Sequence, residues 1–223
     1  MSDLDSRALR QINMFGQKFS TAGNVTYRLG PMPSLTALIP NQPEFIIEVM
    51  PAKAPPASTQ HHVTVRLDGG RHVADPAQLQ IAEGDVVTWA APDATTPPFT
   101  VDGTGPSGPF SSAAMRHEAI YTHVFTAPGD YHWVDAHGSS LAGDIHVNPV
   151  AGDTEQDRQA WLDSLRQGTL IHIQGTDFSP ASVQLTVGMT VFWAVERTNG
   201  IAIADSRLAP NIPRLPEGTP MPT

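Results

Sequence analysis

The chain has 223 residues, 13 Lys/Arg against 22 Asp/Glu, a formal net charge of −9 and no cysteine. That length can bury a core without staples, and the missing thiol excludes disulfides, iron–sulfur clusters, a thiolate nucleophile and thiolate-ligated copper. An acidic balance with no Lys/Arg cluster argues against nucleic acid as a partner, and no run reaches the roughly 18 apolar residues of a membrane span.

Charged residues are only 16% of the chain, and Gly 18 plus Pro 21 punctuate many short Val/Ile/Thr runs. That pattern predicts an all-β fold with many turns. The first residues, MSDLDSRALRQ, are acidic and polar rather than a secretory signal. They imply a cytoplasmic protein if Met1 is native, and a periplasmic or secreted one if the numbering is that of a mature form. Strands are predicted at 11–14, 25–27 and 45–49. Residues 51–60, rich in Pro and Ala, read as a linker that cannot join a strand ladder. From His61 to Pro149 strand runs follow at regular spacing, at 63–65, 79–81, 86–89, 120–125, 131–134 and 145–147, the rhythm of a β-sandwich. The stretch 153–167 breaks that rhythm. Acids sit in its first turn, Trp161, Leu162 and Leu165 share a face, and Gly168 can end it, so 150–167 is predicted as a linker helix. Strands resume at 170–173, 183–187, 190–195 and 201–203, and 206–223 is a Pro-rich tail expected to lie extended on a surface.

Two repeats organise these elements. Residues 75–89, DPAQLQIAEGDVVTW, recur at 179–193, SPASVQLTVGMTVFW, at an offset of 104, with Pro76/Pro180, Gly84/Gly188 and Trp89/Trp193 among the identities. A weaker match at an offset of 106 relates 19–29 to 125–135 and keeps Phe19/Phe125 and Gly23/Gly129. The middle block therefore holds a front half and then a back half. The N-terminal block copies only the back half, and the C-terminal block only the front half. Neither outer block can close a sandwich alone, since each leaves an apolar face and strand edges open. The expectation is a continuous domain at 61–149 and a composite domain made from 10–50 and 168–205. The composite closes either within one chain or by a swap between neighbouring chains, as a ring or filament.

The front-half pattern Gly-x-x-Val-x-Trp, and the back half Phe125-Thr-Ala-Pro-Gly-Asp-Tyr-His-Trp followed by Gly143-Asp-Ile-His-Val, resemble a cupredoxin. The resemblance spans most of the chain and implies two Greek-key β-sandwiches, similar to those of plastocyanin and pseudoazurin. It also implies electron transfer through one type 1 copper held by His, Cys, His and Met. Carried over position by position, the ligands are lost. The first His falls on Phe99 in the middle block and on Ile201 in the composite. The Cys falls on Asp135 and on Leu29, and the Met on Leu141, while His137 stands near the second His position.

Asp135 and His137 form the remaining candidate metal site, a carboxylate and an imidazole on one loop. His123 shares a face with Tyr121 and Phe125 and reads as a core histidine; His132 and His146 point outward by alternation. His61 and His62 border the linker, and His117 sits in a loop. In the second copy Met189 and Phe192 replace Asp85 and Thr88, so an outward polar pair becomes apolar, as at a subunit interface. The reading that follows is a copper-free, non-catalytic interaction or assembly subunit without a cofactor, either a homo-oligomer or part of a larger complex. The alternatives are a metal-binding or redox protein with non-type-1 copper at Asp135 and His137, or an accessory subunit of a copper oxidoreductase.

Overall fold

Alternation decides the strands. Glu44–Met50, EFIIEVM, buries Phe45, Ile47 and Val49, and Thr190–Glu196, TVFWAVE, buries Val191, Trp193 and Val195. A period of two puts such sets on one face of a pleated strand. The computed structural model describes residues 4–31, 42–52, 58–152 and 154–208. Within them run β1 (Asn13–Lys18), β2 (Gly23–Gly30), β3 (Glu44–Met50), β4 (Gln60–Asp68), β5 (Arg71–Asp75), β6 (Gln78–Ala82), β7 (Val86–Ala90), β8 (Thr100–Gly105) and β9 (Gly108–Ser111). The second half continues with β10 (Ala119–Val124), β11 (Gly129–Asp135), β12 (Ala142–Asn148), helix α1 (Glu155–Ser164), β13 (Thr169–Gln174), β14 (Asp177–Ser179), β15 (Ser182–Thr186), β16 (Thr190–Glu196) and β17 (Ile203–Asp205). The fold is all-β with one α-helix among the described residues, and its sheets are mixed and Greek-key-like. The centre of the expected linker, 53–57, and the tail beyond 208 lie outside the described residues.

Helix α1 carries acids in its first turn as predicted and is capped at Thr154, a cap not expected from the sequence. Thr154 accepts from the Asp157 amide while the Asp157 carboxylate reaches back to Thr154, a capping box. The helix ends at Ser164, before Gly168. Its attachment to the sandwich is narrow: the Trp161 indole donates to the Val187 carbonyl at 2.7 Å, beside Leu165.

The two halves of the chain are built alike, and they pair in chain order. β1 to β3 combine with β4 to β9, because β1 pairs β7, β3 pairs β6 and β2 pairs β8. In the same way β10 to β12 combine with β13 to β17 through β10–β16, β12–β15 and β11–β17. This corrects the expected division into a 61–149 domain and a composite of 10–50 with 168–205. Residues 10–50 close on 60–111, and 119–148 close on 169–205, all within one chain. The turn contacts show it most directly. Gly84 donates to the Phe19 carbonyl at 2.8 Å, and its counterpart Gly188 donates to the Phe125 carbonyl at 2.7 Å. Both glycines have φ of 92°, a left-handed turn conformation that a side chain disfavours.

The halves are joined by main chain. Eight strands make one sheet in the order β14-β13-β16-β10-β1-β7-β4-β5. A four-stranded sheet, β15-β12-β11-β17, and a five-stranded sheet, β6-β3-β2-β8-β9, cover one face of it. At the junction β1 and β10 run antiparallel with Phe15 opposite Tyr121. These residues are 106 apart, the back-half offset, so an approximate two-fold axis passes between them. Through them a single inward row crosses six strands: Ile171, Trp193, Tyr121, Phe15, Trp89 and Val63. All six are fully buried or nearly so. Trp89 meets Tyr27 at 5.3 Å and Trp193 meets Trp133 at 6.3 Å, both edge-on, tying the long sheet to the two smaller ones.

Truncating Phe15 to Ala removes the ring shared by both halves. The expected cost is about 3–5 kcal/mol. Because β1 belongs to both ladders, near- and far-ultraviolet circular dichroism should report one coincident denaturant transition in the wild type.

Candidate functional site

The positions that a blue-copper site would occupy are packed shut. Phe99 and Leu29, both fully buried, fall together in the first sandwich, where the Leu9 amide bonds the Phe99 carbonyl at 2.8 Å. Ile201 is fully buried in the second, where the Met115 amide bonds its carbonyl at 2.8 Å. Leu9 and Met115 are 106 apart, so both halves close this end by the same device. The sequential pairing also changes the neighbours of Asp135. It stands beside Ile201–Ile203 of the C-terminal half, not beside Phe99, because β11 pairs β17 with Asp135 opposite Ile203.

Asp135 and His137 are brought together, and each is turned toward main chain. Asp135 is only 2% exposed. Its Oδ1 accepts from the amide of His137 at 2.9 Å and from that of Ala202 at 3.1 Å. His137 Nε2 donates to the Ala113 carbonyl at 2.8 Å, which leaves Nδ1 as the lone-pair nitrogen in the neutral ring. Among the described residues no group of three or more His, Cys, Asp or Glu is placed to hold a metal ion. Asp135 is thus a loop-closing carboxylate in this geometry, with charge-assisted bonds that fix the β11–β17 end.

Most of the other histidines are also engaged. His132 faces Asp144 at 2.7 Å and His146 faces Asp130 across β11 and β12, both on the exposed side, as alternation predicts. His61 Nε2 lies 2.8 Å from the Asp85 carboxylate, and His62 Nδ1 lies 2.8 Å from Thr88 Oγ1, whose hydroxyl donates to the His61 carbonyl. His117 pairs with Glu196. His123 is a core residue: Nδ1 meets Asn13 Oδ1 at 2.6 Å and the ring stands edge-on to Phe125 at 4.6 Å.

The two apolar replacements part company. Asp85 is buried at a turn, where its Oδ2 accepts from the Ala82 amide at 3.0 Å. In the second copy the Thr186 amide approaches Met189 Sδ at 3.3 Å, the same contact 104 residues on. Met189 therefore caps a turn and packs against the core instead of standing outward beside Phe192. Phe192 does stand outward, half-buried, on the face of the eight-stranded sheet that no other described strand covers. Gly168 leaves room for its ring, since a Cβ there would come within 2.2 Å of Phe192 Cε2.

That face is the largest feature that single-strand reading does not reveal. Register places Leu170, Phe192, Thr122, Met14, Ala90 and Thr64 in one outward row. The adjacent row is His172, Ala194, Ile120, Gly16, Thr88 and His62. Neither row contains Asp, Glu, Lys or Arg. Leu170 is 55% exposed. A groove of about 320 Å³ runs over the middle strands, floored by Gly16 and walled by Met14, Val86, Ile120 and Phe192. The two-fold that exchanges Phe15 and Tyr121 also exchanges the rows, since Gly16 corresponds to Thr122 and Met14 to Ile120.

No family model matches this chain, and neither a curated protein nor a solved structure matches it.

Two outcomes follow from these contacts. Replacing Asp135 by Ala orphans the buried amide of Ala202 and frees the part-buried amide of His137, and should cost about 1–3 kcal/mol in urea unfolding, while Asn, which keeps an acceptor oxygen, should cost less than half as much. Burial pushes His123 down to about 4, against a smaller opposing pull from Asp205. The unfolded chain binds that proton first, near pH 6.5. Stability linked to His123 is therefore whole above about pH 6.5 and is lost as pH falls through about 4, a change on the order of 3 kcal/mol. A His123→Gln variant should show a flatter stability profile across that window.

Proposed function

We propose that this chain is a copper-free, cupredoxin-like interaction subunit that self-associates through the outer face of its eight-stranded sheet. The carrying observation is the pair of uncharged rows on that face in a chain whose net charge is −9. Six strands span about 24 Å, and the two rows cover about 10–14 Å along each, an area on the order of 300 Å². This is within the range for a monomer's largest apolar patch, which is often functional.

A second copy fits this face better than an unrelated partner, for two reasons. The face carries its own approximate two-fold, so one patch can meet itself in an isologous contact. Sheet-on-sheet packing at about 10 Å separation also needs only apolar and small side chains between the layers, which these rows supply. Electrostatics agrees, because two acidic copies meet with least net repulsion at a face that carries no charge. The cupredoxin resemblance contributes the sandwich architecture, and the filled ligand positions favour packing over copper chemistry.

Sedimentation velocity tests this reading. The wild type should sediment as a dimer at micromolar concentration, and Phe192→Asp should weaken association by about 30-fold or more with an unchanged circular dichroism spectrum. A wild type that stays monomeric at high micromolar concentration defeats self-association and leaves the face to a different protein.

A further inference from the structure

A second cavity, of about 250 Å³, opens where the two halves meet at the far end of β1. Its walls come from four separate segments: the end of β1 with Phe19, the β8–β9 turn with Pro106 and Phe110, the connection around Arg116, and Arg197 after β16. Three cations, Lys18, Arg116 and Arg197, line it against one carboxylate, Glu118. With His117 neutral the local formal charge is 3 − 1 = +2, in a chain of −9. Glu118 is engaged by Lys18 Nζ at 3.7 Å and by Ser20 Oγ, and His117 by Glu196. Arg197 is different. Its Nη1 is buried and has no hydrogen-bond partner among the described residues. An unpartnered guanidinium nitrogen out of water is costly unless something else completes it.

The internal repeat supplies a control. The same main-chain closure occurs at the other end of the junction: Lys18 N donates to the Glu118 carbonyl at 3.0 Å, and Val124 N donates to the Ile12 carbonyl at 3.0 Å. At that other end Val124 replaces Lys18, Ile12 replaces Glu118, and Asp93 stands at the position of Arg197, while Arg10 matches Arg116. The fold therefore closes this corner without the cations of Lys18 and Arg197. Backbone conformation marks the same spot, for Glu118, with φ of 64°, is the one non-glycine residue with positive φ among those described.

We propose that this pocket binds a small organic carboxylate with a short apolar body. The planar guanidinium fork of Arg197 matches a carboxylate in bidentate geometry. Lys18 and Arg116 add attraction from the rim. Phe19, Phe110 and Pro106 offer an apolar wall that a bare inorganic anion would not use. The pocket sits between two sandwiches, a common position for ligand sites. Its volume admits only a small molecule.

Benzoate is a suitable probe, with benzamide and inorganic phosphate as comparators, followed by isothermal titration calorimetry on the full chain. Benzoate should saturate one site per chain in the millimolar range or tighter. Benzamide, lacking the charge, and phosphate, lacking the ring, should each bind about tenfold more weakly. Arg197→Gln should weaken benzoate about tenfold or more, with Arg197→Lys in between. Should Arg197→Gln fail to fold, Arg116→Gln at the rim should still weaken benzoate several-fold. Absence of benzoate binding at millimolar concentration overturns the proposal. So does equal binding of benzamide, tighter binding of phosphate, or insensitivity to Arg197→Gln in a folded protein.

Discussion

The pairing of β1 with β10 is the contact on which the architecture rests. Each half, taken alone, would expose one of these strands as an edge with unsatisfied amides and carbonyls. Set antiparallel, the two strands satisfy one another and make an eight-stranded sheet from two four-stranded ones. The side chains reinforce this join. Phe15 stacks against Trp89 at 5.6 Å on its own side, and Tyr121 lies 5.5 Å from Trp193 on the other. The core is consequently one aromatic row across the junction instead of two cores in contact. The N-terminal segment adds to the bond between halves: Leu9 bonds Phe99 in the first sandwich, while Ser6 bonds Ile203 in the second at 2.8 Å. Both features of functional interest inherit their form from this join. The outer face is wide because the sheet is continuous, and the basic pocket exists because two sandwiches meet there.

Most strand positions were legible in the sequence because they depend on a local signal, the period of two; β5, β8, β9 and β14, short and rich in Gly, Asp and Ser, were not. The repeats were legible for the same reason. What the sequence left open was which half closes on which. Two tilings fit the same pattern, since each back half carries the same inward set and can face either front half. Starting from the middle block hid the simpler tiling, in which neighbouring segments pair and no half is left over. Phe19 and Phe125 carry the distinction, because each reaches the turn of the front half that follows it, at Gly84 and at Gly188. No property of the phenylalanine itself encodes that choice. It is made by connection length and by the ladder that β1 shares with β7 and β10.

The candidate sites divide in a similar way. The positions onto which the cupredoxin resemblance maps copper ligands, Phe99, Ile201, Leu29 and Asp135, could be named from sequence because each sits in a local strand pattern. The purpose of Asp135 could not, because its buried partner, the amide of Ala202, lies 67 residues further along the chain. Phe192 was visible as an outward apolar residue in a single strand. Met14, Ile120 and Leu170 were not, because alternation states which residues share a face but not whether another sheet covers it. Met189 was misread for a related reason: a thioether near an amide at 3.3 Å replaces a carboxylate in the same turn, so an apparent change of surface was a change of cap. Lys18, Arg116 and Arg197 form no motif at all, being 98 and 81 residues apart in sequence. Only the meeting of the halves collects them.

A duplicated fold provides an internal comparison that a single domain lacks. Positions that agree between the halves are those the architecture demands: the turn glycines Gly84 and Gly188, the inward Trp89 and Trp193, and the closing Phe19 and Phe125. Positions that differ have been released from that demand, and they are where function can be added. The difference alone is not sufficient, as Asp85 and Met189 show by performing one task with two chemistries. What separates the informative differences is whether the substitution leaves a physical debt. Thr88→Phe192 places an aromatic ring on an open face, and Asp93→Arg197 buries a guanidinium nitrogen without a partner in the described chain. The Phe192 ring is partly accommodated beside Gly168, and Arg197 finds no partner for that nitrogen among the described residues; the proposed second copy and the proposed carboxylate each supply a bound partner at these positions.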